Sequence, residues 1–207
     1  MQEERYNKRA VECQFVVSAL SMKAGLSKDF NSCPYKTLDE LQLAKQLDFE
    51  QMLDLIKDTF KRNHEYTVED LKADFADGKD PFEFVGHVPG CKAVQEKVKS
   101  FGLYRRGLHL LNESKKLSRF TALLKDSEIK EEEKLRELGN LMNDSHLNNA
   151  GQQDISNPYL DELTEMAREK GALGSKLMTG SYCLSMVKKE EVGEFLVAMG
   201  EYYTKKR

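Results

Sequence analysis

The sequence predicts a helix-dominated α+β fold. Most of the chain divides into about seven tracts whose apolar residues recur at the three-to-four-residue spacing of amphipathic helices. One stretch differs, Lys170–Val187 (KGALGSKLMTGSYCLSMV), because it carries three glycines and predicts two short strands joined by a turn. Charged residues make up 32% of the 207 residues, which is typical of helices with a large solvated surface.

The N-terminal part of the chain is predicted to form two helical regions and a short third helix. A helix over Arg5–Lys23 is indicated by apolar residues at helical spacing, namely Val11, Phe15, Val16, Ala19, Leu20 and Met22. A loop at Asp29–Pro34 separates it from a second helical region over Leu38–Phe60. The short third helix begins at a capping-box-like sequence, Thr67–Asp70.

A turn-rich stretch follows the third helix. Asp77–Pro81 is predicted to be a turn, and Phe82–Cys91 to be a loop or very short extended structure. We therefore treat residues 1–207 as one domain, with an insertion or weak boundary expected near residues 77–92.

The C-terminal part is predicted to be helical on both sides of the strand pair. The expected helices are Ala93–Leu124, interrupted near Gly102 or Gly107, then Glu128–His146, Tyr159–Lys170 and Glu190–Tyr203. Between the last two, strands are expected at Ser175–Met178 and Tyr182–Val187.

The turn between these strands contains small residues that leave backbone N–H groups uncovered. Thr179, Gly180 and Ser181 could present those donors to a phosphate group. The alternative is an ordinary tight turn, which the pattern alone favours because no complete phosphate-loop motif is present.

Composition argues against several classes of protein. The net charge of −3 predicts no bulk attraction to nucleic acid or to an anionic membrane surface. No apolar run approaches a membrane span and no secretion signal is evident, so we expect a soluble, cytoplasmic protein with free thiols. The histidines show neither HxxxH nor HExxH spacing, and we predict no metal site.

Five stretches, in the same order, resemble the C-terminal half of galactokinase-type sugar kinases, within the superfamily of galactokinases and of homoserine, mevalonate and phosphomevalonate kinases. They are YNKRAVEC (6–13), LYRRGLH (103–109) followed by NES (112–114), LGNLMNDSH (138–146), PYLDEL (158–163) and GALGSKL (171–177). The corresponding family patterns are Y-N-x-R-V-V-E-C, L-Y-Q-R-A-x-H-V-Y-S-E-A, L-G-x-L-M-N-E-S-H, C-P-E-L-D-x-L and G-A-L-G-S-R-L. The resemblance runs nearly end to end and favours the N-acetylgalactosamine kinase and eukaryotic galactokinase branch.

The resemblance implies a ferredoxin-like domain with a small antiparallel sheet and extra helices. It also implies transfer of a phosphoryl group from ATP, with Mg²⁺, to the C1 hydroxyl of galactose or N-acetylgalactosamine. Tyr6 matches a family position that contacts the sugar, so we expect it to pack against or hydrogen-bond the hexose.

Three departures from the family pattern bear on activity. The family's L-T-G-A-G-W-G-G-C motif is shorter here and has lost most of its glycines, and the family's final strand is missing, which predicts an unpaired sheet edge. The family's catalytic Asp and Arg, sugar cluster and phosphate loop lie in its N-terminal half, and their motifs are absent here. We therefore expect no catalytic residue in this chain and no phosphorylation by it alone.

Three interpretations stay open at this stage. The chain is part of an active kinase, or a degenerate paralogue (a pseudokinase) that binds a ligand or a protein, or a helical interaction module unrelated to sugar. An interaction module predicts a broad exposed apolar patch, and a kinase domain without its N-terminal half predicts one too, where that half would dock, so a patch alone does not separate them. A protein partner could cover that face.

Overall fold

The computed structural model describes residues 2–148, 156, 158–178 and 182–206, in which helices predominate over short antiparallel strands. The helix-dominated α+β class is therefore confirmed. The helices are α1 Gln2–Lys23, α2 Leu38–Lys45, α3 Phe49–Thr59, α4 Val68–Asp74, α5 Phe82–Val85, α6 Cys91–Lys97, α7 Leu103–Lys125, α8 Glu131–Leu147, α9 Pro158–Glu169 and α10 Val192–Lys206. The strands are β1 Tyr66–Thr67, β2 Ser100–Phe101, β3 Gly174–Leu177 and β4 Cys183–Met186.

The chain forms two compact units, Met1–Lys115 and Lys116–Arg207. Within the first unit, helices α2, α3 and α4 each begin at a capping box, at Thr37, Asp48 and Thr67. Each of these side chains accepts a hydrogen bond from a backbone N–H of the first turn, which would otherwise lack a partner. The helix start predicted at Thr67–Asp70 is confirmed.

Aromatic rings form the centre of the core of the first unit. Phe15 of α1 contacts Phe30, Phe82 and Phe101, with ring centroids 5.6, 5.4 and 5.2 Å apart. All four side chains are buried, and such aromatic pairs contribute beyond the area that they bury. Helix α1 therefore packs against the core of this unit, and the contacts of Phe15 hold the helix in place.

The turn-rich stretch near residues 77–92 contributes to this same core. Phe82–Val85 forms the short helix α5 rather than a loop, and the side chains of Phe82 and Val85 are buried. These two residues are three positions apart, so one helical turn directs both of them inward.

The helical tract predicted over Ala93–Leu124 is divided in the structure. Strand β2 lies between α6 and α7, and it pairs antiparallel with β1, so that Tyr66 lies opposite Phe101. Phe101 is fully buried in this extended conformation. Helical periodicity cannot reveal such a pairing, because the two strands are far apart in sequence.

The second unit is built around the hairpin of β3 and β4. The strands pair antiparallel with Ser175 opposite Ser185 and Leu177 opposite Cys183, as the Lys170–Val187 stretch predicted. Strand β3 is largely buried against α8 and α9, whereas β4 is partly exposed and carries the exposed side chain of Leu184.

None of the helices within the described ranges combines the length and the apolar character that a membrane span would need.

Candidate functional site

Tyr6, the residue predicted to contact sugar, lies near the start of α1. Its side chain is 53% exposed, while Val11 and Phe15 further along the helix are fully buried. The buried part of α1 holds the helix in place, and Tyr6 extends from that support into solvent. The ring therefore lies at the exposed end of a helix whose following turns are buried.

A buried ion pair anchors α1 one and a half turns beyond Tyr6. The carboxylate of Glu12 accepts hydrogen bonds from the Arg106 guanidinium, at 2.9 Å from Nη2 and 3.2 Å from Nε. Its other oxygen accepts the backbone N–H of Gly102 at 2.9 Å. Glu12 is 4% exposed and Arg106 is 6% exposed. The pair therefore joins α1 to the start of α7.

The residue after Tyr6 makes a separate contact with the turn before α6. Gly90 has a φ of +73°, and a Cβ atom there would overlap the side-chain amide of Asn7. The backbone conformation therefore favours glycine, and a larger residue would displace the Asn7 side chain. The first two residues of the family-like sequence YNKRAVEC therefore differ in environment. The side chain of Asn7 packs against Gly90, whereas that of Tyr6 is exposed.

The thiol of Cys13, in the same segment, is held in its neutral form. Burial is the main influence on its thiol and raises its pKa to about 11, although the nearby Arg106 cation acts in the opposite direction. The thiol is consequently protonated at neutral pH.

In the second unit, side chains of α8 and α9 bind the edge of β3 that faces away from β4. The Asn143 side chain accepts the Ser175 N–H at 2.9 Å and donates to the Leu173 carbonyl at 3.5 Å. Arg168 donates to the Ser175 carbonyl at 3.5 Å. These backbone groups, which a neighbouring strand would otherwise satisfy, are paired by side chains.

His146 continues this arrangement at the end of the strand. Its Nδ1 accepts the Leu177 N–H at 3.3 Å, so its Nε2 carries the proton and donates to Thr164 Oγ1 at 2.9 Å. Thr164 in turn donates to the Asp161 carbonyl at 2.9 Å. Burial is the main cause that lowers the pKa of His146, which favours this neutral form.

Two glycines allow α8 to lie directly against β3. A Cβ atom on Gly139 would come within 2.7 Å of the Leu173 carbonyl carbon, and one on Gly174 within 2.7 Å of the Gly139 Cα. Backbone therefore meets backbone at this crossing, and neither position accommodates a side chain. This close approach places Asn143 and His146 within hydrogen-bonding distance of β3.

The other predicted site residues, Thr179, Gly180 and Ser181, lie outside the described residues. The strand ends on either side of them are described, and the Met178 N–H donates to the Tyr182 carbonyl at 2.7 Å. A phosphate contact at these three residues stays a prediction.

Mg²⁺ and ATP were implied by the family resemblance, so we tested whether the described residues fit a metal. Within the described ranges, no three His, Cys, Asp or Glu side chains are grouped so that they could hold an ion. A metal site built from three such side chains is therefore not found among these residues, and we derive no chemical step through Mg²⁺.

Comparisons with known proteins find the kind of protein that the sequence motifs resemble. Residues 122–205 match the family model "GHMP kinases C terminal". A galactokinase from Dictyostelium discoideum is 28% identical over 217 residues, covering 97% of this chain and 42% of the relative. A galactokinase from Candida parapsilosis is 28% identical over 199 residues, covering 88% of this chain and 38% of the relative. A galactokinase from Bacillus subtilis is 30% identical over 106 residues, or 49% of this chain.

By these matches, the chain is similar to galactokinases over most of its length and to GHMP kinase C-terminal domains over residues 122–205. It spans about two fifths of the length of the relatives that it matches over most of its own length.

The galactokinase-like stretches now have structural explanations that the sequence alone did not provide. LGNLMNDSH supplies Gly139, Asn143 and His146, and GALGSKL supplies the strand that they bind. One signal was available: Gly139, Asn143 and His146 are spaced by four and three residues, which places them on one face of a helix.

Proposed function

We propose that this chain acts in galactokinase-type phosphorylation, as the region that contacts the hexose through Tyr6. The observation that carries the proposal is the similarity to galactokinases over 97% of the chain. The exposure of Tyr6 at the end of an anchored helix supports it. The reaction is transfer of the ATP γ-phosphoryl group to the C1 hydroxyl of galactose or N-acetylgalactosamine.

In this proposal the chain binds and orients sugar but does not transfer phosphate by itself. Phosphoryl transfer needs a metal-bound nucleotide, an in-line hydroxyl and charge stabilisation around the moving group. The sequence carries no RxNLIGEH-like or PxGxGLSSS-like stretch that would supply them. Tyr6 contributes by packing against the hexose ring or by hydrogen-bonding one of its hydroxyls.

Titration of the chain with galactose and with N-acetylgalactosamine, followed by calorimetry or by NMR of the sugar, tests the contact. We expect Tyr6→Ala to weaken binding by about fivefold, which corresponds to one lost hydrogen bond. Tyr6→Phe should show a comparable loss if the hydroxyl makes the contact, and little loss if the ring face does.

Tyr203 provides a matched control, because its side chain is also 53% exposed and it lies in the other unit. Tyr203→Ala should leave sugar affinity unchanged. Equal affinity in wild type, Tyr6→Ala and Tyr203→Ala would contradict the assignment of Tyr6.

A degenerate paralogue that binds a protein partner is the second candidate. The observation that favours it is a set of exposed apolar side chains on the second unit: Tyr182, Leu184, Leu196 and Val197. Exposed apolar groups of this size are typical of interaction surfaces when they are contiguous. A folded chain that binds neither sugar would favour this candidate over the first.

A further inference from the structure

The outer edge of β3 is satisfied by side chains rather than by another strand. In the described part of the second unit, the sheet has two strands, β3 and β4. The N–H groups of Ser175 and Leu177 donate instead to Asn143 and His146, which lie one turn apart on α8. A helix thus takes the position that a neighbouring strand occupies in a larger sheet.

The two contacts differ in chemistry. An amide side chain has no protonation equilibrium in the physiological range, so the contact of Asn143 with Ser175 is independent of pH. Neutral imidazole accepts at one nitrogen, whereas imidazolium donates at both. A protonated His146 would therefore direct an N–H towards the N–H of Leu177, and that hydrogen bond would be lost.

We infer that Asn143 and His146 are positioning residues for β3, and that gain of a proton by His146 releases the C-terminal end of this strand while Asn143 continues to hold its start. The inference does not depend on sugar phosphorylation. It concerns strand β3, which ends just before residues 179–181.

Taken together, the groups around His146 keep its pKa below the ordinary value. Asp161 of α9 lies 3.4 Å from Nε2 and favours the protonated form. Arg168 of α9 and Lys176 of β3 oppose it, and burial, the largest influence, also holds the pKa below the ordinary 6.5. On β4, the Cys183 thiol is kept neutral because burial raises its pKa, so it adds no charge.

The sign of the pH effect follows from linkage. The imidazole of the unfolded chain gains its proton near pH 6.5, before that of the folded chain. The stabilisation from neutral His146 is therefore present above pH 6.5 and is lost as the pH falls through the lower, folded-state pKa. Release of β3 should accompany this loss.

Amide hydrogen exchange resolved by NMR tests the inference on the whole chain without ligand. Between pH 7.5 and pH 5, we expect the protection factor of the Leu177 amide to fall about fivefold, the equivalent of one hydrogen bond. The Ser175 amide should keep its protection. The Leu173 amide is the internal control, because it donates to the Met186 carbonyl of β4.

Substitutions test the contacts of His146 and Asn143 one at a time. His146→Gln retains polar atoms but does not titrate, and it should make Leu177 protection independent of pH. Asn143→Leu should lower Ser175 protection about fivefold, and Asn143→Asp should restore it because a carboxylate oxygen can accept the same N–H.

If a variant fails to fold, direct titration of the wild-type His146 imidazole provides the same test. Its midpoint should lie below 6.5 and coincide with the change at Leu177. A midpoint above 6.5, Leu177 protection unaffected by pH, or equal losses at Leu177 and Leu173 would overturn the inference. A chain that binds no sugar but passes these tests would contradict the proposed function alone.

Discussion

Gly139→Ala is expected to destabilise the second unit by about 3 kcal/mol, at the upper end of the usual overpacking cost. The added methyl would collide with backbone atoms of Leu173 and Gly174, which cannot rotate away as a flexible side chain can. Separation of α8 from β3 would also lengthen the hydrogen bonds that Asn143 makes. Urea unfolding followed by circular dichroism measures the loss.

Gly200→Ala is the matched control. Gly200 lies in α10 of the same unit, and nothing lies within 4 Å of the position of an added Cβ. Because alanine is the better helix former, this variant should be more stable than wild type by about 0.5–1 kcal/mol. Similar effects of the two substitutions would show that α8 and β3 are not in backbone contact.

Arg106→Met should destabilise the first unit by about 3 kcal/mol or more. It removes the cation that pairs with Glu12 and leaves a buried carboxylate that still accepts the Gly102 N–H. Lys8 lies 3.7 Å from this carboxylate but is itself partly exposed, so it compensates little. Unfolding in urea, with hydrogen exchange to locate the loss in residues 1–115, provides the measurement.

Arg105, the neighbouring arginine, provides the control, because its ion pair is exposed whereas that of Arg106 is buried. Arg105 pairs with Glu65 on the surface, where both side chains are substantially exposed. Arg105→Met should change the unfolding free energy by no more than about 1 kcal/mol, as expected for a surface ion pair. Equal losses for Arg105→Met and Arg106→Met would contradict the anchoring role of the buried pair.

Sequence patterns predicted the elements that depend on local physics. Helix α1 follows from its apolar spacing, the start of α4 from the capping box at Thr67, and the β3–β4 hairpin from its glycines and pleat-tolerant residues. In each, the determining residues lie within a few positions of one another, so a single pass along the chain can detect them.

What the sequence could not predict depends on contacts between distant segments. The pairing of Tyr66 with Phe101, the crossing of Gly139 with Gly174, and the burial of His146 each join residues more than thirty positions apart. His146 appeared only as the last residue of a predicted helix and of a family-like motif, since its role requires Leu177, which follows 31 residues later. The structure supplied the reason why these motif residues occur where they do.

The most direct test of the account is an assay of ATP-dependent phosphorylation with this chain alone, using galactose and N-acetylgalactosamine as acceptors and Mg²⁺ in excess. The sugar-binding titration on the same preparation serves as the control for folding. We predict sugar binding that depends on Tyr6, without phosphorylation of either sugar above the rate in the absence of protein. Sustained turnover of either sugar by the purified chain would contradict the account, because it would show that the phosphoryl-transfer machinery resides in these residues.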